Sequence, residues 1–185
     1  MIDQFTIDKA TIYVTRFTPD EEATGQISAQ GLAVTRLLRH ALGSDTTVMH
    51  RPDGSPFIDG LDSELSVSHC NGYATIGLHD GPRFGIDIER PRATLQRVAH
   101  KFLSADEMLR YVTPDDLLRA WTVKEALYKA AGLPGVSLAD GLILPPTPSS
   151  DTAYVKKDGI AVPYKISSFT YDDCIISVAL PVNGQ

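Results

Sequence analysis

The stretch RFGIDIERP, Arg83 to Pro91, decides how the rest of the chain is read. Ile86 and Ile88 alternate with Asp87 and Glu89, the period of a strand with one apolar and one acidic face. Residues two apart on a strand share a face at roughly 6 to 7 Å between Cα atoms. Two carboxylates that close repel unless water or a positive charge covers them. Two readings stand side by side. The strand presents an exposed sheet face, or it offers oxygen ligands to a hard cation such as Mg2+, which takes carboxylate oxygens and keeps waters for a phosphate ligand.

A second stretch bears on the choice. In LLRAWTVKEALYKAAG, Leu117, Ala120, Trp121, Leu127, Tyr128 and Ala131 fall into one apolar stripe at helical spacing. Lys124 lies inside that stripe, and Glu125 and Lys129 lie on its edge beside Leu118. A surface helix keeps its charges on the opposite face. Snorkelling of a long stem explains Lys124 well and the shorter Glu125 poorly. In the other reading this edge lines a cleft, Glu125 joins Asp87 and Glu89 as a third oxygen ligand, and Lys124 and Lys129 face phosphate. Complementary groups occur earlier. TRLLRHALG sets Arg36 and Arg39 on adjacent helical faces, and SVSHC sets Ser66, Ser68 and His69 at a strand end. Each is ordinary alone; with the acids they compose a site for a phosphorylated, metal-chelating ligand.

The flanking sequence gives these pieces an order. ATIYVTRF is a strand, and TPDEEATGQISAQGLAVTRLLRHALG carries helix start and stop signals, interrupted by Gly25 and Gly31. ELSVSHCNGYATIGLHDGP reads as a hairpin turning at Asn71-Gly72. After the acidic strand come two helices: one opens on a Ser104–Glu107 capping box, the other on Thr113 and Pro114, closing at Gly132. LPPTPSS is a loop, TAYVKKDGIAVPYKISSF turns at Asp158-Gly159, and CIISVAL is a final strand. The expectation is an α+β protein of two similar halves, 1–82 and 83–185.

Totals bound the function. The 185 residues, 43% hydrophobic and 22% charged, suit a soluble globular protein. A net charge of -6 argues against a nucleic-acid binder. The two cysteines, Cys70 and Cys174, form no metal spacing or disulfide framework. No signal peptide and no membrane-length run is evident, so a cytoplasmic protein is expected.

FGIDIER followed by WTVKEALYKAAG resembles the paired signature of 4′-phosphopantetheinyl transferases, and RLLRHALG, RPDGSPFI, SVSH and FLSADE resemble further elements in the same order. The resemblance implies the single-chain type: two halves packed as a pseudo-dimer with the active site in the cleft between them, acting as a monomer. It implies Mg2+-dependent transfer of the 4′-phosphopantetheine of coenzyme A to a serine of an apo acyl or peptidyl carrier protein, releasing adenosine 3′,5′-bisphosphate. Asp87, Glu89 and Glu125 match the metal acids, and Glu125, Lys124 and Lys129 the catalytic groups. Arg36, Arg39, Ser68, His69, Lys124 and Lys129 match the residues around the coenzyme A phosphates. Gly54-Ser55-Pro56 stands where members often carry Gly-Lys-Pro, and Cys70 replaces the more usual small residue after His69. Arg97, His100, Lys101, Phe102 and Leu103 are expected to offer a basic, apolar rim to an acidic carrier. Two other functions fit parts of the pattern: a non-catalytic coenzyme A or carrier-binding module on the same fold, and an unrelated Mg2+-dependent nucleotide hydrolase.

Overall fold

In the computed structural model of the protein, which describes residues 1–18 and 28–182, the chain divides into two compact units, Met1–Pro82 and Arg83–Gln185. The first unit opens with a hairpin of β1 (Ile2–Ile7) and β2 (Ala10–Arg16). Its turn uses Asp8 at φ 51, a left-handed conformation that a short polar side chain tolerates. β1 is absent from the sequence reading, because Asp3, Gln4 and Thr6 dilute its apolar pattern. Helix α1 (Ala29–Leu42) is capped by Ser28, whose hydroxyl accepts from the Gly31 amide, and ends on Gly43 at φ 71. The first part of the helical run expected from Thr18 to Gly43 falls on residues 19–27, outside the described residues, and the rest is α1.

A two-stranded ribbon, β3 (Met49–His50) with β4 (Pro56–Phe57), precedes the hairpin of β5 (Glu64–Cys70) and β6 (Tyr73–His79). The first sheet is antiparallel in the order β1-β2-β6-β5. Ala29, Ala33, Leu37 and Leu38 of α1 are buried with Leu65, Ala74 and Ile76 of the sheet. Their helical spacing is what gives α1 one apolar face.

The second unit begins with β7 (Gly85–Glu89), the strand of the opening stretch. Short helix α2 (Thr94–Val98) runs into a 3-10 turn, Ala99–Lys101, and the single-turn helix α3 (Ala105–Met108) follows. Helix α4 (Pro114–Ala131) is the long one. Thr113 and Asp116 form its capping box, Pro114 sits in its first turn, and Gly132 ends it at φ 59. Strands β8 (Leu142–Ile143), β9 (Thr152–Lys157), β10 (Ile160–Tyr171) and β11 (Cys174–Pro181) complete an antiparallel sheet in the order β7-β11-β10-β9-β8. The α+β class is therefore as expected.

Helix α4 packs directly on β7 and β11. The approach is so close that a Cβ on Gly85 would stand 1.9 Å from the Ala126 carbonyl oxygen, so only glycine fits there. α4 buries residues around most of its circumference, Leu118, Thr122, Val123 and Ala126 as well as Leu117, Ala120 and Leu127. Tyr128, assigned to the apolar stripe from spacing, is 38% exposed. The expected apolar rim is also corrected. Phe102 and Leu103 belong to the core, and the exposed apolar side chains of this stretch are Met108, Leu109 and Val112.

Candidate active site

β7 does not present a plain outer face. Ile86 and Ile88 are fully buried, and Asp87 on the alternate face is only 5% exposed because α4 lies over it. Lys129, in the last turn of α4, donates from Nζ to Asp87 Oδ1 at 2.8 Å and to the Ile86 carbonyl at 2.9 Å. An ammonium carries three donors, so one N–H of Lys129 remains for a further acceptor. Arg83 steadies this end of the helix, its Nε donating to the Lys129 carbonyl at 2.8 Å beside the Gly132 cap. Arg83 thus holds Lys129 by the backbone while Lys129 holds Asp87 by its side chain.

Glu89 lies one residue pair further along the same face. Arg92 Nη2 reaches its Oε1 at 3.2 Å, and Trp121 Nε1 donates to the same oxygen at a long 3.4 Å. The Arg92 guanidinium lies over the Trp121 ring, 5.2 Å from its centroid, and Phe102 meets that ring edge-on. Glu125, one turn before Lys129, is half-buried and forms no hydrogen bond or ion pair among the described residues. Burial raises the Glu125 carboxyl above the usual carboxylate range, and the charge of Asp87 raises it further, with Glu89 adding to both. Glu89 is likewise raised, first by burial, while Arg92 pulls it down and Asp87 pushes it up. The charges of Asp87 and Glu89 on β7 are therefore felt at Glu125 on α4.

This donor set has the chemistry of a hard-cation site: carboxylate oxygens only, with Glu125 in no direct ion pair among the described residues and Lys129 and Arg92 offsetting only part of the rise in its pKa. As the side chains stand, no group of three or more His, Cys, Asp or Glu among the described residues is drawn together tightly enough to hold a metal ion. Among the described residues Lys129 pairs with Asp87 and Arg92 with Glu89.

Lys124 is a correction. It was expected to face phosphate or to snorkel into water, and it does neither. The side chain is fully buried, and Nζ donates to Glu107 Oε1 at 3.0 Å, to Glu107 Oε2 at 2.8 Å, to the Leu138 carbonyl at 2.7 Å and to the Leu142 carbonyl. Four acceptors surround three donors, which leaves no proton for a substrate. Glu107 is equally enclosed, accepting from the Leu144 amide at 2.7 Å and, in the α3 capping box, from the Ser104 amide at 2.9 Å. The pair ties α3, α4 and the two ends of β8 together. Burial pulls the Lys124 pKa down, and the bond and charge of Glu107 oppose that. Glu107 was visible in sequence only as a helix cap.

In the first unit, Ser68 is buried in β5 and His69 beside it is exposed. Arg36 donates to the Arg16 carbonyl at 3.3 Å. Arg39 is drawn to Asp45, Nε to Oδ1 at 2.6 Å, with both side chains well exposed. Ser55 is not an open replacement for a lysine. It is buried, its hydroxyl donating to Asp53 at 2.7 Å. The cation of this ribbon is Arg51, which forks onto Glu64 at 3.0 and 3.2 Å and lies over the Phe57 ring. Trp121, Arg92, Arg83 and Arg51 were not singled out by the sequence reading, since a tryptophan in an apolar stripe and lone arginines carry no pattern of their own.

No helix among the described residues is long and apolar enough to cross a membrane. No curated protein matches the chain. A family model does match, over residues 83–178, just over half of the chain and the whole of the β7–α4 constellation. The chain belongs to the 4′-phosphopantetheinyl transferase superfamily and is a transferase of phosphopantetheinyl groups.

Proposed function

We propose that the protein transfers the 4′-phosphopantetheine of coenzyme A to a serine of an apo acyl or peptidyl carrier protein, with Mg2+ as cofactor and adenosine 3′,5′-bisphosphate as the other product. The observation that carries this reading is the constellation of Asp87, Glu125 and Lys129, with Glu89 beside it, within the matched region. Asp87, Glu89 and Glu125 are the residues that would hold the metal, whose contribution when bound is to neutralise charge on the pyrophosphate.

The chain's own groups divide the remaining work. The serine Oγ bonds to the β-phosphorus while the bond from that phosphorus to the bridging oxygen breaks, and the leaving bisphosphate takes that electron pair. Lys129 offers its third N–H to the oxygen that gains charge, a preorganised donor of the kind that stabilises such transition states. Glu125, with its carboxyl raised by burial, is suited to accept the serine proton. Lys124 is not part of this chemistry and supports α4 instead. Arg36, Arg39, Ser68 and His69 are proposed for the phosphates of the nucleotide end. A cytoplasmic monomer is the simplest form of such an enzyme.

Incubation with coenzyme A, Mg2+ and a panel of apo carrier proteins, read by intact mass, tests the proposal. A carrier heavier by one phosphopantetheine is expected. Absence of that gain on every carrier tried, with coenzyme A still bound, would favour the non-catalytic binding module; nucleotide release without a carrier would favour a hydrolase.

A further inference from the structure

Asp87 and Glu89 occupy the same face of one strand, and their counter-cations differ in kind. Lys129 meets Asp87 from a helix, held at its backbone by Arg83 and at Nζ by the Ile86 carbonyl as well, with side chains 28% and 7% exposed. Arg92 meets Glu89 from the loop just beyond β7, with side chains 44% and 20% exposed. Its bond is at the long end for an ion pair, and Trp121 Nε1 approaches the same oxygen from α4. A pair so open to water is weak and readily exchanged. Its guanidinium has a second resting place on the Trp121 ring. The neighbouring Arg90 does not share this role, because it is turned to Asp173 on the loop between β10 and β11.

We propose that Arg92 is a positioning residue that occupies Glu89 Oε1 in the metal-free enzyme and yields it to Mg2+, so that the protein's own cation competes with the metal at this ligand and Trp121 senses the exchange. The inference rests on the metal set proposed above. Exchange keeps the acidic face neutralised before the metal arrives, and makes Glu89 the adjustable ligand of the three while Asp87 stays fixed by Lys129.

Trp121 is the only tryptophan in the chain, so its emission reports this contact without labelling. The experiment titrates the whole chain with Mg2+ in the presence of coenzyme A and no carrier protein, following Trp121 fluorescence together with calorimetric binding. The wild type should change emission as Mg2+ saturates. Arg92→Gln should lower the half-saturating Mg2+ concentration roughly two- to five-fold, the scale of an exposed ion pair. Its metal-free emission should already resemble that of the metal-loaded wild type. Arg90→Gln removes an equal charge nearby and should titrate like the wild type. An Arg92→Gln protein that needs the same or more Mg2+ than the wild type, or an Arg90→Gln protein that shifts as much as Arg92→Gln, overturns the inference alone. Should Asp87→Asn titrate like the wild type, the metal assignment itself falls, and the inference with it.

Discussion

Two lysines of α4, Lys124 and Lys129, stand five residues apart and commit their ammonium groups in opposite ways. Lys124 is enclosed by the Glu107 carboxylate and two backbone carbonyls, so every proton has an acceptor. Lys129 makes two bonds, to Asp87 and the Ile86 carbonyl, and keeps one donor at a partly open edge. The acids differ in parallel. Glu107 is saturated by Lys124, Leu144 and Ser104, whereas Glu125 has a raised pKa and no partner among the described residues. One side of the helix is electrostatically finished and holds the fold; the other is left incomplete, in keeping with the site proposed for it.

That contrast breaks most visibly at Lys124. Lys124→Met leaves Glu107 charged and enclosed, an error costing about 3–5 kcal/mol, and should lower the melting temperature of the protein by more than about 6 °C. Glu107→Gln combined with Lys124→Met removes both charges and should restore a large part of that loss. Single and double variants followed by thermal unfolding decide it. A Lys124→Met protein as stable as the wild type but inactive would put Lys124 back among the reacting groups.

At Lys129 the expectation reverses. Lys129→Gln keeps a donor for Asp87 and the Ile86 carbonyl but not the charge. It should lower kcat roughly 10²–10³-fold with a smaller fall in melting temperature than Lys124→Met, because Lys129 is partly exposed where Lys124 is not, measured by carrier modification and thermal unfolding on the same preparation. Gly85→Ala falls between the two kinds of effect. Its methyl meets the Ala126 carbonyl at 1.9 Å, so α4 must move off β7; a loss of about 1–3 kcal/mol in chemical unfolding is expected, and transfer should fall with it because α4 carries Glu125 and Lys129.

The smallest effect tests the incomplete side by pH. The Glu125 carboxyl is raised in the folded protein from an ordinary value of 4.5, so the folded state holds its proton more tightly than the unfolded state does. Its contribution to stability is therefore most favourable below about 4.5 and is lost as pH rises through the raised folded value. Glu125→Gln should stabilise the metal-free protein at pH 7 by about 0.5–1 kcal/mol, with the difference from wild type vanishing near pH 4. An equal difference at both pH values would show that the carboxyl is not under electrostatic load.

How far the sequence discloses this division depends on where the partners lie. α4 was legible to its ends, because Thr113, Pro114, Asp116 and Gly132 are local signals. The acidic strand was legible by its period, and Asp87, Glu89, Glu125 and Lys129 by being charges in the wrong place on two apolar elements. The role of Lys124 was not legible. A helical wheel separates an apolar side from a polar one, but α4 is enclosed on several sides, and the acceptors of Lys124 come from Glu107, Leu138 and Leu142 on other elements. Arg92 and Trp121 were hidden for the same reason: what matters is that both reach Glu89, and nothing in their spacing says so. β1 was hidden by its polar composition, and is identified only by its pairing with β2.

The central claim is that α4 separates a structural ion pair from the reacting set, and intact-mass measurement of carrier modification by two variants tests it most directly. The Glu107→Gln, Lys124→Met double variant, confirmed folded, should still add phosphopantetheine to its carrier, while Glu125→Gln, equally folded, should not. A folded double variant that has lost transfer, beside a Glu125→Gln enzyme that retains it, would contradict the account.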